Sequence, residues 1–172
     1  MASGNCGYTF GVLTLSDKGS RGEREDTSGR MLCDLMQAEG YVLAEYELIP
    51  DQLELITSRL AAWADDKSID LILTTGGTGV APSDVTPEAT LMVIEKQVPG
   101  IAEAMRAASL RITLNAVLSR GLAGIRGKSL IINLPGSKKA ARENIEVVLP
   151  ALQHALYKLK GGADDCGITE ST

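Results

Sequence analysis

Between Asp70 and Thr90 an apolar run, a cluster of glycines and a helix-start signature follow one another without a spacer, and few folds accept that order. Asp70-Leu71-Ile72-Leu73-Thr74-Thr75 reads as a strand covered on both faces, as in a mainly parallel sheet. Gly76-Gly77-Thr78-Gly79 frees the backbone for positive φ and lets its N–H groups approach a ligand closely. Thr86-Pro87-Glu88 has the form of an N-cap, a proline in the first turn and an acid to meet the helix dipole, so a helix is expected from Thr86. Asp84 is left in the loop at the carboxyl end of the strand, where open α/β sheets place their ligands. A carboxylate beside a phosphate cradle would repel the phosphate unless Mg²⁺ stands between them. The competing reading is a purely structural glycine turn.

The segments on either side extend the same pattern. Residues 8–15 read as a first strand and residues 16–26 as a long polar loop of the functional kind. Asp26 or Thr27 is expected to cap a helix carrying Met31, Leu32, Leu35 and Met36 on one face, with Gly40 as its stop. Residues 41–49 form the next strand. Asp51-Gln52-Leu53-Glu54 has capping-box form ahead of the stripe Leu53, Ile56, Leu60, Trp63 and Ala64, which gives Asp51 a structural reading as N-cap beside a functional one. Pro99-Gly100 reads as a break before a helix over residues 101–110. Residues 122–125 and 129–132 are expected to pair antiparallel at the sheet edge around Arg126-Gly127-Lys128. Leu134-Pro135-Gly136-Ser137 closes the last strand and opens a second anion-ready helix start, with Lys138 and Lys139 in its first turn. Pro150 either kinks that helix or begins another.

This alternation predicts an α/β fold: a three-layer α/β/α sandwich with a mostly parallel sheet and right-handed crossovers. One domain over residues 1–160 and a polar, disordered tail over 161–172 are expected. Residues 16–26, 50–51, 76–85 and 135–139 would then meet at the sheet's carboxyl edge around one pocket.

Composition narrows what that pocket serves. A net charge of −5 and 3% aromatic content argue against nucleic acid, which calls for a basic face and stacking platforms. An anionic small molecule would find local cations in Lys18, Arg21 and Arg24 and in Lys138, Lys139 and Arg142. The three cysteines, Cys6, Cys33 and Cys166, are widely spaced and suit reduced thiols in the cytoplasm better than a disulfide frame or zinc site. No leader pattern and no apolar run of membrane-spanning length is visible, which again favours a cytoplasmic protein away from membranes. The dinucleotide signature G-x-G-x-x-G is missing after the first strand. Gly127-Lys128-Ser129 imitates the end of a P-loop, but Leu122 stands where the earlier glycine belongs and a strand follows. His154, the single histidine, has no partner motif for nucleophilic hydrolysis. What remains is two glycine-bearing anion loops and the carboxylates Asp17, Asp51 and Asp84 near strand ends, a set suited to phosphoryl or nucleotidyl transfer.

Three segments taken together, VLTLSDKGSRGEREDTSG, TTGGTGVAPSDVTPEAT and LPGSKKAARENIEVVLPALQHAL, resemble the MoaB/MogA family of molybdenum cofactor biosynthesis, which includes the plant and gephyrin G domains. The likeness runs over about residues 10–159. It implies the MogA-like molybdopterin-binding fold, usually a homotrimer, and the activity of a molybdopterin adenylyltransferase. Such an enzyme joins AMP from Mg-ATP to the terminal phosphate of molybdopterin and releases pyrophosphate. By resemblance, Asp51 and Asp84 are the catalytic pair, with Asp84 assigned to Mg²⁺ and Asp51 to substrate alignment. Ser16, Asp17, Thr75, Gly76, Gly77, Thr78, Gly79, Ser83, Pro135, Gly136 and Ser137 are then the residues that bind nucleotide and pterin. The implied partners are molybdopterin, ATP, further copies of the chain and a molybdenum-inserting enzyme. Ser16-Asp17, Pro50-Asp51 and Asp84-Val85-Thr86-Pro87-Glu88-Ala89-Thr90 follow the MogA-like branch. Residues 25–29 and 135–140 take forms seen in MoaB-like members, so a binder of molybdopterin or nucleotide without efficient turnover is one alternative and a gephyrin-like trimeric scaffold another.

Overall fold

The computed structural model describes residues 7–162. Cys6, Cys166 and all but the first two residues of the expected tail lie outside that range. Six strands form one sheet in the order β2-β1-β3-β6-β5-β4: β1 Thr9–Leu15, β2 Val42–Ile49, β3 Leu71–Thr75, β4 Lys96–Gln97, β5 Ala123–Arg126 and β6 Ser129–Leu134. β1 runs parallel to β2 and β3, and β3 parallel to β6, while β5 is antiparallel to β6 and to β4. The helices are α1 Asp17–Ser20, α2 Thr27–Ala38, α3 Leu53–Asp65, α4 Thr86–Val93, α5 Pro99–Leu110 and α6 Lys138–Leu159, with a 3-10 turn over Leu114–Leu118.

Successive strand residues point to opposite faces, and the buried ones sort into two cores accordingly. Phe10, Val12, Leu71, Leu73, Leu130 and Ile132 pack under α2, α5 and α6. Leu13, Leu15, Ile72 and Ile131 pack under α3 and α4. The architecture is thus the expected α/β/α sandwich. Gly11 lets the indole of Trp63 lie against β1, since a Cβ there would stand 2.8 Å from the ring.

Several local expectations change. Residues 16–26 begin with the short helix α1, capped by the Ser16 hydroxyl, which accepts from the Gly19 amide at 3.0 Å. Pro99-Gly100 is the first turn of α5, not a break, because proline is tolerated where the N–H has no intrahelical partner. The β5–β6 pair forms as expected around Gly127, at φ 54, but it is not the sheet edge. β6 lies beside β3, and β4 covers β5. Both β4 residues are exposed, so no apolar alternation announces that strand. Pro150 sits inside one continuous 22-residue α6. The buried row Ala141, Ile145, Val148, Leu152 and Leu156 runs through it, and packing of that row overrides the local penalty.

Candidate functional site

The carboxyl ends of β1, β2, β3 and β6 open into a cleft of about 310 Å³, walled by Ser16, Asp26, Asp51, Gly76, Gly77, Asp84, Gly136 and Ser137 among others. The four expected loops therefore do meet. Backbone conformation explains the floor. Gly76 and Gly77 take φ values of 107 and 63, in the left-handed region where a side chain is strained. A Cβ on Gly76 would also strike the carbonyl oxygen of Leu15, and Gly136 packs against the Cα of Gly76. Thr75 is buried, and its hydroxyl donates to the Pro135 carbonyl at 2.7 Å. It and Pro135 thus hold the two glycine loops together.

The carboxylates are placed by contacts that the sequence does not announce. Asp51 does not cap α3: Gln52 occupies the N-cap without a side-chain bond. Instead Asp51 Oδ2 accepts from the Asp17 amide at 3.1 Å, and Asp17 Oδ1 accepts from the Asp51 amide at 3.1 Å. This reciprocal clasp leaves Asp51 Oδ1 buried and without a partner among the described residues. That oxygen lies 2.9 Å from where a Cβ on Gly77 would stand. Burial pushes the Asp51 carboxyl above the usual range; the Asp17 amide opposes this, and the charges of Asp17 and Asp84 add to it.

Thr86 is not a cap either. Val85 is the N-cap of α4, without a side-chain bond, because the Thr86 hydroxyl turns inward to donate to the Gly76 carbonyl at 2.9 Å. The Thr86 amide donates to the Gly77 carbonyl at 3.1 Å. Helix α4 is thereby latched to the glycine turn. Asp84 Oδ2 accepts from the Ala81 amide at 2.9 Å, and a Cβ on Gly79 would stand 2.8 Å from that oxygen. A side chain at residue 79 would therefore displace the Asp84 carboxylate.

The remaining nominated residues divide. Ser137 caps α6, accepting from the Ala140 amide at 3.2 Å, and so aims the positive end of a long helix at the cleft. Thr78, Gly79 and Pro135 line a second groove of about 260 Å³ with Ile112, Ala116, Leu118, Ser119 and Asn144. Ser83 is exposed and lines neither. Of the nominated cations, Arg24 borders the cleft, while Arg21 pairs with Glu23 at 2.7 Å and Arg142 with Glu146 at 3.2 Å.

Sequence reasoning missed three features. Asp26, expected only as a cap, is a cleft wall whose carboxylate accepts from the Gly29 amide at 2.8 Å and the Tyr46 hydroxyl at 2.7 Å. Asn133 donates to the hydroxyls of Thr74 at 3.0 Å and Thr90 at 2.9 Å, tying β6, β3 and α4 beneath the site. Arg120 spans the loop that carries Asp84.

No group of three or more His, Cys, Asp or Glu side chains among the described residues forms a complete metal cage. The unpartnered Asp51 oxygen with Asp84 nearby is instead a partial set. That suits Mg²⁺, which keeps several waters and takes the rest of its shell from substrate phosphates.

Residues 11–154 match the family described as "Probable molybdopterin binding domain". The molybdopterin adenylyltransferase of Helicobacter pylori (strain J99) is 44% identical over 156 residues, covering 88% of this chain and 88% of that protein. The molybdopterin adenylyltransferase of Escherichia coli (strain K12) is 41% identical, covering 83% of this chain and 74% of that one. Among solved structures, the molybdopterin biosynthesis enzyme MoaB of Thermus thermophilus superposes with a TM-score of 0.85 at 52% identity, covering 90% of this chain and 97% of that chain.

Proposed function

We propose that this chain, which belongs to the molybdopterin-binding domain family, adenylylates molybdopterin. It is a nucleotidyltransferase of molybdenum cofactor biosynthesis, with ATP and molybdopterin as substrates and pyrophosphate as the second product. The observation that carries this reading is the Asp51 carboxylate: one oxygen clasped, the other buried and unpartnered beside Gly77 and within the electrostatic reach of Asp84. A buried acceptor left unsatisfied by the protein is costly, and a bound group that supplies a partner relieves that cost.

The reaction on this reading is in-line attack by the terminal phosphate oxygen of molybdopterin on the α-phosphorus of ATP. A new P–O bond forms as the bond to pyrophosphate breaks, and catalysis is mainly positioning and charge neutralisation. The Gly77 amide and the α6 N-terminus take phosphate oxygens, while the Gly76 amide is held by the Leu134 carbonyl at 3.2 Å. Asp51 and Asp84 would hold Mg²⁺, which when bound neutralises phosphate charge. The second groove, with Ile112, Ala116, Leu118 and Pro135 among its walls, offers apolar surface for a flat ring next to the phosphate cleft. Two adjoining cavities match two substrates that must meet end to end.

The 52% identity to a MoaB structure favours one other reading, a protein that holds molybdopterin without turning it over. Incubating the purified chain with molybdopterin, ATP and Mg²⁺ separates the two. Adenylyl-molybdopterin and pyrophosphate in equal amounts are expected; retention of molybdopterin without either product would establish the binder.

Self-association goes with this function. Leu110, Leu114 and Val117, which lie outside the groove lining, are 45%, 78% and 60% exposed within one short stretch, an apolar patch of the kind that marks an interface. We assign it to contacts between copies in a homotrimer. Light scattering should give about three times the 18.2 kDa chain mass, and the pair Leu114→Asp and Val117→Asp should shift it towards one. A wild-type mass equal to the single chain would sink the assignment. No helix among the described residues is long and apolar enough to cross a membrane. We place the protein in the cytoplasm, passing its product to a molybdenum-inserting enzyme.

A further inference from the structure

We infer that Arg120 is a positioning residue that sets Asp84 for the reaction; the inference rests on the reading of Asp84 as a catalytic group. Arg120 lies between the 3-10 turn and β5, far in sequence from the loop it grips. Its Nε donates to the Gly79 carbonyl at 2.6 Å, its Nη2 to the Asp84 carbonyl at 2.5 Å, and its Nη1 to the Glu88 carboxylate. Its own backbone amide donates to the Thr78 carbonyl at 2.9 Å. One residue thus binds four positions of the 78–88 segment. The loop between Gly79 and Asp84 otherwise closes on itself through two bonds, Asp84 amide to Ala81 carbonyl and Ala81 amide to Asp84 Oδ2, both 2.9 Å.

The geometry of a guanidinium makes this more than a surface ion pair. Its donors lie in one plane at fixed angles, so two carbonyls bound to it are fixed relative to each other. Here those carbonyls belong to the glycine under the Asp84 carboxylate and to Asp84 itself. Glu88, in the first turn of α4, anchors the third nitrogen. With Glu88 and Arg120 both substantially exposed, that ion pair adds little stability. What the arrangement determines is where the carboxylate stands against the Gly76-Gly77 floor. A lysine in this place reaches at most one of the two carbonyls with a rotating donor and leaves their spacing free.

The test compares wild type, Arg120→Ala, Arg120→Lys and Asp84→Asn in steady-state adenylyl transfer, with melting curves alongside. Arg120→Ala should lower kcat on the order of tenfold or more, the scale expected when a catalytic group is slightly misplaced. Its KM for ATP should stay within about threefold, since uniform binding is untouched. Arg120→Lys should fall between it and wild type. Millimolar guanidinium should restore part of the kcat of Arg120→Ala and none of that of Asp84→Asn. Wild-type kcat in Arg120→Ala, a loss confined to KM, or a loss that follows a lowered melting temperature without guanidinium rescue would each overturn the inference while leaving Asp84 standing. Full activity in Asp84→Asn would instead remove the reading beneath it.

Discussion

Asp51→Asn is expected to cost adenylyl transfer at least about a hundredfold, about 2.7 kcal/mol of barrier, while raising the melting temperature at neutral pH. Asparagine keeps an oxygen that can accept from the Asp17 amide, so the clasp between the two loops survives. It cannot supply the negative charge that a metal ion or substrate proton requires. The stability effect follows from the carboxyl's raised pKa. The folded state favours the protonated form, so its contribution is fully present below the ordinary carboxylate pKa and is lost as pH rises through the raised value. At neutral pH the wild type carries an ionised, partly desolvated carboxylate that the variant lacks. The variant's advantage in melting temperature should shrink towards nothing as pH is brought below about 4. Serine would serve as a control only if Asp51 capped α3, which it does not; it would break the clasp as well as remove the charge. An active Asp51→Asn protein would return this residue to a structural role and move the chain towards the MoaB-like reading.

Asp84→Asn should show a loss of similar size with little of the gain in stability, since its charge is the smallest of the causes that raise the Asp51 pKa. The amide oxygen can still accept from the Ala81 backbone, and α4 takes no side-chain cap from this position, so the fold has no use for the charge. The expected result is a fall of at least about a hundredfold in rate, about 2.7 kcal/mol, with a melting temperature close to wild type. Turnover at the wild-type rate with unchanged Mg²⁺ dependence would show that the carboxylate is not part of the reaction. The two variants are thus told apart by their melting curves even where their activities are equally low.

The fold is legible in the sequence wherever side-chain period and burial agree. β1 and β3 are apolar runs buried on both faces, and α2 and α3 carry their stripes as read. The meeting of four loops at one sheet edge follows from the alternation alone. Caps are less legible, because a hydroxyl or carboxylate at a helix start can turn inward. Thr86 reads as an N-cap, yet its hydroxyl reaches back ten residues to Gly76. Asp51 has capping-box spacing, yet its partner is Asp17, thirty-four residues earlier. Neither choice is encoded in local spacing; the Asp17 contact depends on β1 and β2 ending side by side, and the Thr86 contact on α4 folding back against the end of β3. Arg120 is invisible for a related reason: two of its three side-chain partners are backbone carbonyls, which no residue pattern marks. The edge strand β4 offers two exposed polar residues and so no hydrophobic signal.

The clasp between Asp17 and Asp51 also bears on motion. Each amide is held by the other residue's carboxylate, so a fluctuation that lifts the α1 end away from the β2–α3 connection breaks both bonds together. What would be two independent local openings at neighbouring strand ends is joined into one cooperative unit, with a single opening equilibrium. The ends of β1 and β2 therefore open as one unit, and an opening that frees Asp17 also frees Asp51.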